Sequence, residues 1–170
     1  VSRELIEGAD FLNQRGYEQI KELLDAGRLV GLIGGDHSTP LGFYKAIAEK
    51  HGEYVILQID AHCDLREAYE NFKYSHASIM YNALKEVPQV MKLVQIGTRD
   101  YSLSEVDYIN NSNGRVVTYF DKEIKERSYE GETWQKITDE IVSHLPQKVF
   151  ISFDIDGLDP KLCPNTGTPV

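Results

Sequence analysis

Between Tyr54 and Asp64 the chain runs through Tyr54-Val55-Ile56-Leu57-Gln58-Ile59 straight into Asp60-Ala61-His62-Cys63-Asp64. The first run is short, mostly apolar and partly β-branched, so it reads as a buried strand of a parallel sheet. Strand side chains alternate between faces, which places Asp60, His62 and Asp64 on one side and Ala61 and Cys63 on the other. Two carboxylates and an imidazole at the exit of a buried strand are costly unless something satisfies them. A divalent metal is the simplest cation for that role, and a hydrogen-bonded turn is the alternative.

Two further stretches have the same form. Val149-Phe150-Ile151-Ser152-Phe153 is a second buried-strand run, ending in Asp154-Ile155-Asp156 with both carboxylates on one face. Residues 29–33, Leu-Val-Gly-Leu-Ile, make a third and run into Gly34-Gly35-Asp36-His37-Ser38. In open parallel sheets, ligands bind outside the carboxyl ends of the strands, so these three ends are expected to converge on one site. Four aspartates and two histidines exceed what one ion needs. Oxygen-rich donors with some imidazole favour Mn²⁺, and ligand type leaves zinc and iron open.

The rest of the chain alternates helix-like and strand-like sequence. Apolar spacing suits helices over residues 1–13 and 17–26, with Ile20, Leu23 and Leu24 as the buried stripe of the second and Gly27 at its C-terminal cap. Ser38 or Thr39 can cap a helix reaching about Lys50, with Pro40 in its first turn. Residues 65–74 are polar and read as loop. A helix over 77–85, a strand over 92–97 and a short helix with capping-box spacing at Ser102 and Glu105 follow. A turn at Asn111-Ser112-Asn113-Gly114 precedes a strand over 116–120. Trp134, Ile137, Ile141 and Leu145 recur at helical spacing. Such alternation predicts an α/β fold with a largely parallel sheet, and residues 1–170 read as one domain without linker or repeat.

Composition narrows the function classes. A formal charge of −9 lacks the basic footprint of a nucleic-acid binder. No apolar run is long enough to span a membrane and the start does not resemble a signal peptide, which makes the cytoplasm the expected compartment. Cys63 and Cys163 are too few for a disulfide framework, and Cys63 reads as a small buried thiol. The chain begins at Val1 in helix-like sequence and stops in a turn-rich run, so truncation at both ends is expected.

Gly-Gly-Asp-His-Ser at 34–38, Asp-Ala-His-Cys-Asp at 60–64 and Ser-Phe-Asp-Ile-Asp-Gly-Leu-Asp-Pro at 152–160 resemble the three signatures of the ureohydrolase family, which contains arginase and agmatinase. The motifs stand in the family's order and span most of the chain. The resemblance implies a three-layer α/β/α arginase-like fold, present here as a partial domain. It also implies two Mn²⁺ ions per subunit. His37 and Asp64 would hold one ion and His62 and Asp156 the other, with Asp60 and Asp154 shared. Two cations sharing a water lower its pKa and hold a hydroxide ready to attack a guanidinium carbon, giving urea and an amine. Asp64 could steer that hydroxide through a hydrogen bond.

His76, in Tyr74-Ser75-His76, stands where the family places an active-site histidine, and an imidazole titrating near neutrality suits protonation of a leaving amine. Thr168 matches a family position near the guanidinium. Arg66 and Tyr69 either line the entrance or are plain loop residues. Asp36 and Asp159 read as acids that hydrogen-bond either the ligands from behind or a turn, Gly34 and Gly35 as a tight turn, and His51 and His144 as solvated or helix-end residues. The family's guanidinium-binding glutamate is expected beyond this chain.

The sequence Asp64-Leu65-Arg66-Glu67-Ala68-Tyr69 resembles agmatinase-type members more than arginases, whose loop here reads an amino acid's carboxylate and ammonium. Agmatine has no α-carboxylate, so agmatine is the expected small cationic substrate, hydrolysed to putrescine and urea. Arginase, guanidinobutyrase or formimidoylglutamase activity, or a non-catalytic metal-binding relative, are the alternatives. Family members commonly assemble as trimers or hexamers, and a homo-oligomer is expected.

Overall fold

The computed structural model describes residues 2–168. Val1, expected in the first helix, and Pro169 and Val170, expected in the terminal loop, lie outside the described residues. The chain packs as two compact units, one of Val1–Glu53 with Asp64–Val90, the other of Tyr54–Cys63 with Met91–Val170. The boundary between Cys63 and Asp64 falls inside the Asp60–Asp64 motif.

The first unit is helical. A single helix α1 (Arg3–Asp25) replaces the two expected helices, because Gln14-Arg15-Gly16 holds no residue that must break the ladder and an isolated glycine is tolerated there. Ser2 caps it by accepting from the Leu5 amide, and Gly27 follows its end at a φ of 70°. Of the expected stripe, Ile20 is buried and Leu23 is exposed. Helix α2 (Leu41–His51) starts from Pro40 without a side-chain cap, so neither Ser38 nor Thr39 caps it. Gly42 lies so close to α1 that a Cβ there would stand 2.3 Å from the Asn13 carbonyl oxygen. A 3₁₀ turn (His76–Ser78) leads into α3 (Ile79–Glu86), whose Glu86 takes Lys45 at 2.7 Å and Lys73 at 2.5 Å.

Residues 29–33 form no strand. Leu29 and Ile33 are fully exposed and the segment has no regular structure. A β-strand exists by pairing, and among the described residues no strand lies alongside this one, so its β-like composition has nothing to pair with.

The sheet lies in the second unit, Val90 excepted. Its strands β1 (Tyr54–Ile59), β2 (Val90–Thr98), β3 (Val116–Phe120) and β4 (Val149–Phe153) stand in the order β3-β2-β1-β4. β1 and β4 are parallel with Val55 opposite Val149, as are β2 and β3 with Leu93 opposite Val116. A parallel sheet with helices between its strands is the α/β class that the alternation predicts. Val55, Val94 and Tyr119 from the sheet pack with Ile137 and Ile141 of α6 (Trp134–Ser143) into one apolar cluster. Trp134, expected in that stripe, is exposed. Helix α4 (Leu103–Asn110) carries the Ser102–Glu105 capping box. Helix α5 (Asp121–Tyr129) is almost wholly polar and gave the apolar spacing nothing to detect.

The close approach at Gly42 is testable. Gly42→Ala forces backbone apart and should lower the unfolding free energy by about 1–3 kcal/mol, read from urea denaturation. Unchanged stability would show that α1 and α2 do not meet this closely.

Candidate functional site

In the second unit, β1 stops at Ile59 and β4 at Phe153, and the acids follow at once. Asp154 donates its backbone N–H to the Ile59 carbonyl at 2.8 Å, continuing the β1–β4 pairing by one residue. Beyond this point strand alternation no longer governs, and short turns take over. Asp60 Oδ1 accepts from the His62 amide at 2.7 Å, and Asp154 Oδ1 from the Asp156 amide at 3.1 Å. Both are aspartate side chains bonding their own backbone two residues on. Asp36 and Asp159 do the same with the amides of Ser38 at 2.9 Å and Lys161 at 2.8 Å, the turn role expected for them.

The first turn folds the His62 ring back over the acids. His62 Nδ1 lies 3.3 Å from Asp60 Oδ1 and 3.2 Å from Asp156 Oδ2. The other Asp156 oxygen accepts from the Ala61 amide at 3.0 Å. Ligand atoms of Asp60, His62 and Asp156 all lie within 4.8 Å of one another. Gly157 lets this loop lie flat on β1, since a Cβ there would stand 2.8 Å from the Asp60 nitrogen.

Electrostatically the cluster calls for positive charge. Hydrogen bonding of its ring N–H to Asp156 first, and then to Asp60, pushes the pKa of the His62 imidazole up to about 10. On its far side, His62 Nε2 lies 2.9 Å from Thr168 Oγ1. If Nε2–H donates to that hydroxyl, the neutral ring turns a bare Nδ1 lone pair toward two carboxylates. A cation placed among the three turns that repulsion into coordination. Two carboxylates and one imidazole are a donor set of the kind that manganese and its neighbours take.

The first unit holds the other expected pair. His37 Nδ1 lies 2.8 Å from Asp64 Oδ2, with both side chains largely buried. Asp64 has a φ of 54°, in the left-handed region that is uncommon for non-glycine residues, although aspartate tolerates it better than most. Here the Asp64 carbonyl accepts from the amides of Met80 at 3.0 Å and Tyr81 at 3.2 Å, and the Arg66 amide donates to the Ala77 carbonyl at 3.1 Å. Those bonds fasten the end of the motif to the segment that carries His76.

His76 is exposed and opens the 3₁₀ turn. Its segment is fixed from beneath by the buried Ser75–Ser78 hydroxyl pair at 2.9 Å and by Asn82 donating to the Lys73 carbonyl at 2.8 Å. Tyr69 and Phe72 exchange backbone hydrogen bonds across Glu70 and Asn71, which have φ of 50° and 64°, the signs of a type I′ turn. The Tyr69 ring meets the His76 ring edge-on at 5.6 Å, and the Arg66 guanidinium lies 5.3 Å from the Tyr69 ring centre. His51 ends α2 and His144 caps α6, as expected.

Some residues of the site escaped the motif reading. Arg99 Nη2 donates to the carbonyls of Asp156 at 2.6 Å, Thr168 at 3.3 Å and Leu158 at 3.4 Å, so one guanidinium gathers both loops that reach His62. Its backbone amide donates to the Ala61 carbonyl at 2.8 Å. An arginine just past a strand end gives no such signal by itself. Gln58 and Gln95, wholly buried beside the site, did carry one, being polar residues inside apolar strand runs.

A family model described as the arginase family matches residues 3–170. The chain is 37% identical over 153 residues to N(1)-aminopropylagmatine ureohydrolase of Thermus thermophilus, covering 90% of this chain and 48% of that protein. It is 31% identical over 160 residues to a guanidinobutyrase of Pseudomonas aeruginosa, covering 89% and 47%. With an agmatinase of Neisseria meningitidis it shares 36% over 151 residues, covering 88% and 44%. Among solved structures, an arginase from Bacillus cereus superposes with a TM-score of 0.80 at 26% identity, covering 99% of this chain and 61% of that one. The chain spans about half the length of the curated relatives it matches.

Arg99→Ala should cost about 1–3 kcal/mol of stability by leaving carbonyl groups without their donor, and Arg99→Lys should recover part of it. Denaturant melts check this, and an unchanged midpoint in Arg99→Ala would remove the clamp from the description.

Proposed function

Because this chain belongs to the arginase family, we propose that it carries the metal-binding part of a hydrolase that cleaves a guanidino compound, with agmatine giving putrescine and urea. His37, Asp60, His62, Asp64, Asp154 and Asp156 are the ligands in this reading, and two Mn²⁺ ions are the cofactor. The observation that carries it is the convergence of Asp60, His62 and Asp156, whose shared face toward one point suits a cation. The His37–Asp64 pair supports the second ion.

Bound there, the ions would supply a water acidified to react near neutral pH. The chain's own groups provide the rest. Four aspartates make the site attractive to a guanidinium cation. Asp64, held by His37, accepts a hydrogen bond from the attacking water and fixes its direction. His76, exposed on a braced turn, gives a proton to the departing amine. Thr168 keeps the His62 ring oriented through Nε2, and its loop faces the guanidinium.

Agmatine is favoured by the short loop after Asp64, which offers Arg66 and Tyr69 and no cluster of hydroxyls and amides for an amino acid's head group. The names of two relatives, an aminopropylagmatine ureohydrolase and an agmatinase, support the same substrate class. No helix among the described residues is long and apolar enough to cross a membrane. A cytoplasmic homotrimer or hexamer completes the proposal.

The test is urea release by the full protein loaded with Mn²⁺, with agmatine, arginine and 4-guanidinobutyrate side by side and a chelated control. Chelator-sensitive urea from agmatine is expected, lost in His62→Ala and Asp154→Ala. Urea mainly from another substrate would overturn the substrate and keep the chemistry. No urea from any of them would overturn the function.

A further inference from the structure

Inside the sheet, three side chains from three neighbouring strands form a continuous polar line that ends on the first acid of the site. Thr118 Oγ1 on β3 donates to Gln95 Oε1 on β2 at 2.7 Å. Gln95 Nε2 donates to Gln58 Oε1 on β1 at 2.6 Å, and Gln58 Nε2 donates to Asp60 Oδ2 at 2.8 Å. Gln58 and Gln95 are 0% exposed and Asp60 is 1% exposed. A buried amide costs free energy unless its groups are paired, so two of them in the middle of strands call for an explanation.

The line has a direction, and Asp60 sets it. An ionised carboxylate only accepts, so Gln58 must turn its NH₂ toward it. That leaves the Gln58 oxygen facing β2, which in turn demands the NH₂ of Gln95. The Gln95 oxygen then faces β3, where a hydroxyl that can donate is required. Thr118 supplies it. Gln95 uses its second N–H on the Cys63 carbonyl at 2.7 Å. The same amide therefore braces Asp60 through Gln58 and the Cys63 end of the motif directly. With His62 N–H on Asp60 Oδ1 and Gln58 on Oδ2, both carboxylate oxygens are fixed in orientation.

We infer that Gln58, Gln95 and Thr118 are positioning residues that hold the Asp60 carboxylate aimed for its cation, with Gln95 and Thr118 acting from one and two side chains away. The inference rests on the metal-binding reading above. Groups that hydrogen-bond ligating carboxylates commonly govern affinity by about ten- to a hundredfold when removed. A chain of dipoles aligned on one charge also strengthens each link, so a break two strands away is felt at its end.

The experiment compares Gln58→Leu, Gln95→Leu, Thr118→Val and Thr118→Ser with the wild type in the full protein, by Mn²⁺ titration, Mn²⁺ EPR and NMR of the glutamine side-chain amides. Gln95→Leu is expected to weaken Mn²⁺ binding about tenfold and change the EPR line shape. Thr118→Val should do so less, and Thr118→Ser should match the wild type. The double variant Gln58→Leu/Thr118→Val should bind no more weakly than Gln58→Leu, because the line from Thr118 to Asp60 is already cut. Wild-type affinity in Gln95→Leu, or losses that add in the double variant, would overturn the inference. Melts without metal separate a mere loss of fold. If the wild type takes up no Mn²⁺, the metal reading itself fails. The positioning line is then judged by NMR alone. Gln58 amide protons that stay slow to exchange and unshifted in Thr118→Val would overturn it.

Discussion

A carboxylate at the end of a buried strand is the constraint on which the rest of this molecule depends. Asp60 is almost wholly enclosed, and an ionised acid in such a place is tenable only with donors on each oxygen and positive charge nearby. The structure meets the first demand with the His62 amide and the Gln58 side chain. Around them Gly157 closes down on the Asp60 backbone and Arg99 draws in the loops behind it. The second demand falls to His62, whose ring both carboxylates push toward the imidazolium form. A protonated histidine and a bound divalent ion are alternative answers to the same local field.

Unusual backbone gathers just after that cluster, from Asp64 to Asn71. Asp64 sits in the left-handed region without being a glycine, and two backbone amides of the segment after His76 hold its carbonyl in place. Glu70 and Asn71, also left-handed, make the tight turn that sets Tyr69 against His76. Backbone that departs from its preferred regions needs surroundings that over-determine it, and here those surroundings are the hydrogen bonds that tie the loop to α3.

Much of the arrangement was legible in the sequence, because clustered acids and histidines and buried strands both write short, dense signals. β1 and β4 were readable as apolar runs, and the acids at their ends as expensive groups needing a partner. The pairs His37 with Asp64 and His62 with Asp156, expected on separate ions, are the pairs that the structure brings within 3.2 Å. Strand alternation, however, was the wrong reason for Asp60 and His62 to meet. They meet because an aspartate turn follows the strand. Residues 29–33 have the composition of a strand, but strandedness is a property of a pair, and the sequence of one partner cannot supply the other. Helix α5 escaped because its stability rests on capping, charge pairs and neighbours rather than on an apolar stripe. Arg99 acts through backbone carbonyls, which carry no sequence code at all.

Whether cations occupy these donors decides the proposed function. Crystals of the full protein grown with Mn²⁺ and measured at the manganese absorption edge would show it directly. Anomalous peaks beside His37 and Asp64 and beside His62 and Asp156 are the predicted result. Density free of anomalous signal at these side chains, with His62 still pressed between Asp60 and Asp156, would contradict it.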